Sequence, residues 1–219
     1  MAEVKRQYDA SGRRAQARRR RRDVVAAARE LFESDGFQAT TITAVARRAG
    51  VSAESIYKGF GTKAALAKAV FDVVLAGDDE PVPMAERPET RAIRAEPDVR
   101  RKIALYVDGL VRRQERSARV QIMIRDGRHH DETLRETWET LLTERLAGMT
   151  MFARHLVESG QLRAEITVEE AADVLWTCIA VELYELLVLQ RGWSLERYGT
   201  WLTRTISDSL CSNNSTKLA

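Results

Sequence analysis

The stretch Thr41 to Leu66, TITAVARRAGVSAESIYKGFGTKAAL, decides the fold. Thr41 is a short polar residue able to cap a helix. Ile42, Val45, Ala46 and Ala49 follow at one-face helical spacing. Ala49-Gly50-Val51-Ser52 then ends one helix and starts another. Gly50 offers the positive φ of a sharp turn, and Ser52 offers an acceptor for the orphan amides of the next helix. That second helix, predicted over 53–60, is short. Ile56 and Phe60 lie one turn apart and pack inward, which leaves Glu54, Ser55, Tyr57 and Lys58 outward. Two short helices joined at a glycine turn make a helix-turn-helix, whose second helix can enter a DNA major groove.

On the N-terminal side, the unbroken run Arg18 to Arg22 leads into a helix with a stripe at Val24, Ala28, Leu31 and Phe32. Asp35-Gly36 ends it, with Gly36 in the C′ role. Residues 1–17 lack periodicity and read as a disordered basic arm. On the other side Thr62 caps a fourth helix, with Leu66, Val70, Phe71 and Val74 inward as far as Gly77. The helix-turn-helix domain is thus predicted over 18–76.

From 77 to 97 the pattern collapses, and all four prolines fall there, so this stretch reads as a linker between domains. Helical stripes return over 98–211. Val99 to Val111 form one face, Val120 to Ile124 a short segment closed by Asp126-Gly127, and Leu134 to Val157 a long helix stopped by Gly160. Thr167-Val168-Glu169-Glu170 is a capping box opening a helix to about Gln190 that is apolar around much of its girth. Gly192-Trp193-Ser194 turns the chain into a last helix carrying Tyr198, Trp201, Leu202, Ile206 and Leu210, and 212–219 form a polar tail. Few prolines and a low content of β-branched and aromatic residues favour an all-α protein.

The chain has 219 residues and a net charge of +3, unevenly distributed. Residues 1–63 hold 14 lysines and arginines against 7 acidic residues, whereas the remainder holds 21 against 25. Positive charge gathered at the motif end is the footprint of a phosphate-binding surface. Cys178 and Cys211 show no zinc spacing and no disulfide framework, so they read as reduced thiols of a cytoplasmic protein. No apolar stretch follows the basic N-terminus, and no run reaches the length of a membrane span. Neither a secretory signal nor membrane insertion is expected, and no cofactor is called for.

The run T-I-x-x-V-A-x-x-A-G-V-S-x-x-x-I-Y-x-x-F-x-x-K-x-x-L resembles the DNA-binding domain of the TetR-type transcriptional regulators, and the likeness covers Val24 to Leu75. Gly59 departs from the pattern, since the family often has a larger residue before the aromatic. The resemblance implies that Ala53, Glu54 and Ser55 face bases, with Tyr57, Lys58 and Lys63 on or near the DNA backbone. Chemistry agrees, because lysines neutralise phosphates, Glu54 can accept from cytosine N4, and the Ala53 methyl can touch a thymine methyl. Thr41, Thr43 and Ser52 complete the candidate contacts. Arg21 and Arg22, from the arginine run, are expected to anchor on phosphates with some minor-groove insertion.

One reading head contacts too few bases for selectivity, so a homodimer on a palindrome is expected. Val174, Leu175, Ile179, Leu183, Leu186, Leu187, Trp201 and Leu202 of the last two long helices are the candidate interface, since they offer more apolar surface than one core face needs. The resemblance implies that these helices form a four-helix dimer seam, and that the C-terminal domain encloses a small-molecule pocket. Met123, Trp138, Met149, Phe152, Trp176 and Tyr184 are the adaptable or aromatic residues that could line it. Few charges interrupt these stripes, which favours an apolar or mixed ligand. The resulting expectation is a repressor released from a palindromic operator by an unidentified small effector. A ligand-independent regulator or an activator of the same fold is the alternative. His129-His130-Asp131 admits a remote enzymatic reading through His129 and Asp131. The preferred reading of that triplet is a solvated turn with Asp131 as a helix N-cap, and no catalytic or metal role.

Overall fold

The structure, a computed structural model, describes residues 4–77, 82 and 86–212. All named elements are helical: α1 (Val4–Ala39), α2 (Ile42–Ala49), α3 (Ala53–Phe60), α4 (Lys63–Ala76), α5 (Pro88–Ala95), α6 (Val99–Gly127), α7 (Glu132–Glu158), α8 (Val168–Cys178), α9 (Val181–Tyr184) and α10 (Leu195–Leu210). Between α9 and α10 the chain winds into a π-helix, Glu185–Gln190. The extended backbone among the described residues makes only an isolated bridge, Leu162 to Cys211. The all-α class read from composition and periodicity holds.

Two compact units emerge. The first gathers α1 to α4 with Arg119–Trp138, which is the end of α6 and the start of α7. The second gathers α5, α6 up to Ala118, α7 from Glu139, and the helices that follow. This differs from the sequence division at 77–97 in two ways. Pro88 to Ala95 form a helix inside the supposed linker, with Pro88 at the first turn, where its missing N–H costs nothing. In addition, residues 119–138 cluster with the N-terminal unit.

In the first unit, α1 packs on α2 and α4, while α3 packs on both α2 and α4. Val24, Ala28, Phe32, Val45, Ile56, Leu66 and Val70 are buried at its centre. Gly36 interrupts α1 with φ 78° and ψ 172°, the left-handed break that its sequence position called for. Helix persists back to Val4, through most of the predicted arm at 1–17, because Gln7 to Arg22 contain no proline and only one glycine to oppose it.

In the second unit, α10 packs against α8 and the π segment, and Ile103, Leu156, Leu175, Tyr198, Leu202 and Leu210 are wholly buried. Glu89 of α5 pairs with Arg112 and Arg113 of α6. Gly109 permits that approach, since a Cβ there would collide with Glu89 Oε1. Thr167 and Glu170 make both hydrogen bonds of the capping box (2.9 and 3.1 Å). Yet the helix they open does not run to Gln190. It stops at Cys178, Ala180 takes an extended conformation (φ −60°, ψ 136°), and a new helix begins at Val181. The carbonyl of Ile179 freed by this break accepts from Gln114 Nε2 of α6 at 3.1 Å, with Gln114 itself buried.

Candidate nucleic-acid interface

The turn between α2 and α3 is built by Gly50, whose φ 66° and ψ 33° lie in the left-handed region. Around it Val51 N–H donates to Ala46 O (3.0 Å) and Gly50 N–H to Arg47 O (3.4 Å). This is the paired closure of a Schellman motif, and it satisfies carbonyls that the helix end would leave orphaned. Thr41 accepts from Ala44 N at 3.1 Å, Ser52 from Ser55 N at 3.2 Å, and Thr62 from Ala65 N at 3.0 Å, so each helix of the motif carries its own cap. Thr41 and Ser52, both candidate DNA contacts, thus have a structural duty as well. Ser52 and Ser55 share a further hydroxyl hydrogen bond at 2.8 Å.

Ile56 is 1% exposed and anchors α3, while Tyr57 on the next residue is 54% exposed. Glu54, Ser55, Lys58 and Gly59 are exposed, Ala53 is half-buried, and Thr43 is exposed on the first turn of α2. A Cβ at Gly59 would meet nothing within 4 Å, so the missing side chain leaves open space on the presented face. Arg18 to Arg22 are all exposed on α1. Arg21 lies over the Phe60 ring, its Cζ 4.4 Å from the centroid, which ties the arginine run to the end of α3 by a cation–π contact. Nothing in the sequence spacing links two residues 39 positions apart, so this pairing emerges only from the fold. Arg48 of α2 is held in an ion pair with Glu30.

Lys63 departs most from expectation. Its ammonium turns inward, donating to Phe37 O (2.8 Å) and Thr40 O (3.0 Å) and sitting 4.1 Å over the Phe37 ring. Burial lowers its pKa, an effect partly opposed by the carboxylate of Asp131. Lys63 therefore clamps the end of α1 to the start of α4, and two of its three donors are taken up before any phosphate arrives.

The remaining candidates divide by unit. Met123 and Trp138 lie in the first unit, where Trp138 is buried with the Arg128 guanidinium 5.8 Å from its ring. Met149, Phe152, Trp176 and Tyr184 lie in the second. Phe152 lies tilted against Tyr106 with ring centroids 4.6 Å apart, and the Tyr106 hydroxyl donates to Met149 Sδ at 3.3 Å. Tyr184 is a core residue, buried edge-on against Tyr198 at 5.5 Å. Among the candidate dimer residues, Leu175, Ile179 and Leu202 are buried within the single chain. Leu175 and Leu202 have no exposed surface in the single chain and Ile179 has 9%, so they offer a partner little or nothing to bury. Leu186 is 50% exposed and Leu189 47%, while Val174, Leu183, Leu187 and Trp201 are half-buried.

His129 and His130 sit exposed in the turn before α7. Asp131 caps that helix, its Oδ1 accepting from Leu134 N (3.1 Å) and Thr133 Oγ1 (2.6 Å), and the Thr133 hydroxyl above all holds its pKa low. With its carboxylate so engaged, Asp131 is a poor general base. Among the described residues no three His, Cys, Asp or Glu side chains could share a metal ion, and no helix is long and apolar enough to cross a membrane. Cys178 and Cys211 are free and buried, and burial raises both thiol pKa values.

The family model described as bacterial regulatory proteins, tetR family, matches residues 24–70. No curated protein sequence matches the chain. Solved structures with the same fold are numerous. A TetR-family transcriptional regulator from Rhodococcus sp. is 16% identical over 87% of this chain and 98% of its own, with a TM-score of 0.67. The transcriptional regulator FadR from Bacillus subtilis, in complex with stearoyl-CoA, is 18% identical over 85% and 97%, with a TM-score of 0.68. A transcriptional regulator from Saccharomonospora viridis, in complex with choline, is 17% identical over 88% and 98%, with a TM-score of 0.64.

Proposed function

We propose that this chain, whose residues 24–70 match the model of the tetR family of bacterial regulatory proteins, is a sequence-specific DNA-binding repressor that works as a homodimer and leaves its operator when a small effector binds. One observation carries the reading. A capped, glycine-turned helix pair buries Ile56 and presents Glu54, Ser55, Tyr57 and Lys58 together on the outer face of α3. An α-helix of this size fits the major groove, and its N-terminal residues are those that reach base edges. The exposed arginines of α1, tethered by Arg21 to Phe60, add sequence-independent attraction to phosphates.

Pairing is supported by Leu186 and Leu189, two exposed leucines on one segment whose exposure a lone chain leaves uncompensated. Symmetric pairing of two heads doubles the bases read and requires an inverted repeat in the DNA. Effector control is supported by the structural neighbours that were solved in complex with stearoyl-CoA and with choline. In a two-state scheme the effector binds the DNA-incompetent form better, and the coupling free energy sets how far the operator is vacated.

Selection of bound sequences from random duplex DNA tests the reading directly. An inverted repeat with half-sites about one helical turn apart is the expected product. Recovery of no preferred sequence, from a protein shown to be folded, would refute it.

A further inference from the structure

The second unit contains a group of hydrogen-bond donors with too few acceptors. Arg145 of α7 lies with its Cζ 4.7 Å from the Trp176 ring centroid of α8. Arg145 Nε and Nη1 and Trp176 Nε1 are shut off from solvent, and each lacks a hydrogen-bond partner. On the same α7 face, one and two turns on, Met149 and Phe152 hold Tyr106 of α6, whose hydroxyl donates to the weak acceptor Met149 Sδ. Tyr106 is itself a neutral phenol, with burial pushing its pKa up to about 12. Burial also lowers the pKa of the Arg145 guanidinium, outweighing the opposing charge of Glu182.

Buried guanidinium and indole N–H groups without an acceptor are unfavourable, and natural cores avoid them unless a ligand or ion completes the site. A guanidinium fork matches a planar carboxylate in two parallel hydrogen bonds. The neighbouring aromatic and thioether side chains match an apolar body.

We infer that the effector is a small organic acid whose carboxylate is held by Arg145 and Trp176, with its apolar body against Tyr106, Met149 and Phe152. This rests on the reading of the second unit as the effector-binding part of a DNA-binding regulator. It also narrows the sequence expectation of an apolar or mixed ligand to a monoanionic one. Of the six residues offered by the sequence as pocket lining, it keeps Met149, Phe152 and Trp176 and omits Tyr184, which is packed in the core, and Met123 and Trp138, which belong to the first unit.

The test uses the full-length protein with octanoate as probe, and with 1-octanol and octylamine as neutral and cationic controls. Thermal melts and calorimetric titration are run on wild type, Arg145→Met, Arg145→Lys and Trp176→Phe. Octanoate is expected to raise the wild-type Tm, and the two controls are not. Arg145→Met is expected to weaken octanoate binding by roughly 10- to 100-fold, the range of a charge-assisted hydrogen-bond pair. Arg145→Lys, which keeps the charge and loses the fork, should bind with intermediate affinity, as should Trp176→Phe, which keeps the ring and loses the indole N–H.

Without any ligand, Arg145→Met should melt higher than wild type, because two buried donors that lack an acceptor have been removed. A lower melting point would mean that the guanidinium is already satisfied within the chain, and would overturn the inference. So would equal binding of octanol and octanoate, or wild-type octanoate affinity in Arg145→Met. Binding of the free protein to its selected duplex is measured alongside. Carboxylate binding without DNA binding sinks the regulator reading and spares the acid site, whereas DNA binding without carboxylate binding does the reverse.

Discussion

Lys58 and Lys63 look alike in the sequence, both being lysines at the edge of the recognition helix, and the structure gives them opposite tasks. Lys58 is exposed on α3, while the Lys63 ammonium caps two backbone carbonyls and stacks on Phe37. Lys63→Met should therefore destabilise the fold by about 1–3 kcal/mol, the cost of leaving carbonyls unpartnered, and leave the salt dependence of DNA binding unaltered. Lys58→Met should do the converse, changing stability by less than about 0.5 kcal/mol and reducing the logarithmic salt slope by about 0.9 for each phosphate no longer neutralised. Melts and salt-titrated DNA binding on both variants separate the two roles. A reduced salt slope in Lys63→Met would return that residue to the DNA surface. The sequence could not tell them apart, because the carbonyls that capture Lys63 lie 23 and 26 residues away.

At the scale of elements, what the sequence made legible was whatever depends on neighbours in the chain. Thr41, Gly50, Ser52, Thr62 and Thr167 each signal a helix end through local hydrogen bonds or a positive φ, and the structure has each of those caps and turns. The break after α8 was illegible for a corresponding reason. Ala171 to Leu189 is nearly all apolar, so its periodicity has no phase. Ala180, which adopts the extended conformation, is a residue at ease in helix too. Leu175 and Ile179, before the break, are buried, while Leu186 and Leu189, in the π turn beyond it, are exposed. The break is maintained by Gln114 of the neighbouring helix. Gln114→Leu, a change of similar volume, should cost about 1–3 kcal/mol by orphaning the Ile179 carbonyl, read as a lower denaturation midpoint with an unchanged slope. Wild-type stability in that variant would mean that water or another donor replaces the amide.

Across the whole molecule, the charge asymmetry and the exposed leucines make joint demands. A single head of modest area binds DNA weakly, and avidity from a second head multiplies affinity only while the two stay joined. Leu186→Glu combined with Leu189→Glu should give a monomer in sedimentation, with a fold intact by circular dichroism, and should weaken operator binding by at least about 10-fold. A dimer of unchanged mass would place the pairing surface elsewhere. The candidate DNA surface was largely readable from sequence because it is one contiguous stretch. The cluster proposed to bind an acid was only half readable, since Arg145, Tyr106 and Trp176 come from three separate helices.

Residues 119–138 cluster with α1 to α4 although more than 40 positions separate them from α4 in the chain. Helix boundaries alone would suggest cutting after α4 to transplant the reading head onto another sensor. Such a fragment would forfeit its share of α6 and α7, including the Asp131 carboxylate that acts on Lys63. A hybrid built by grafting must carry both segments, and one that carries only the first 79 residues should be recovered as insoluble material.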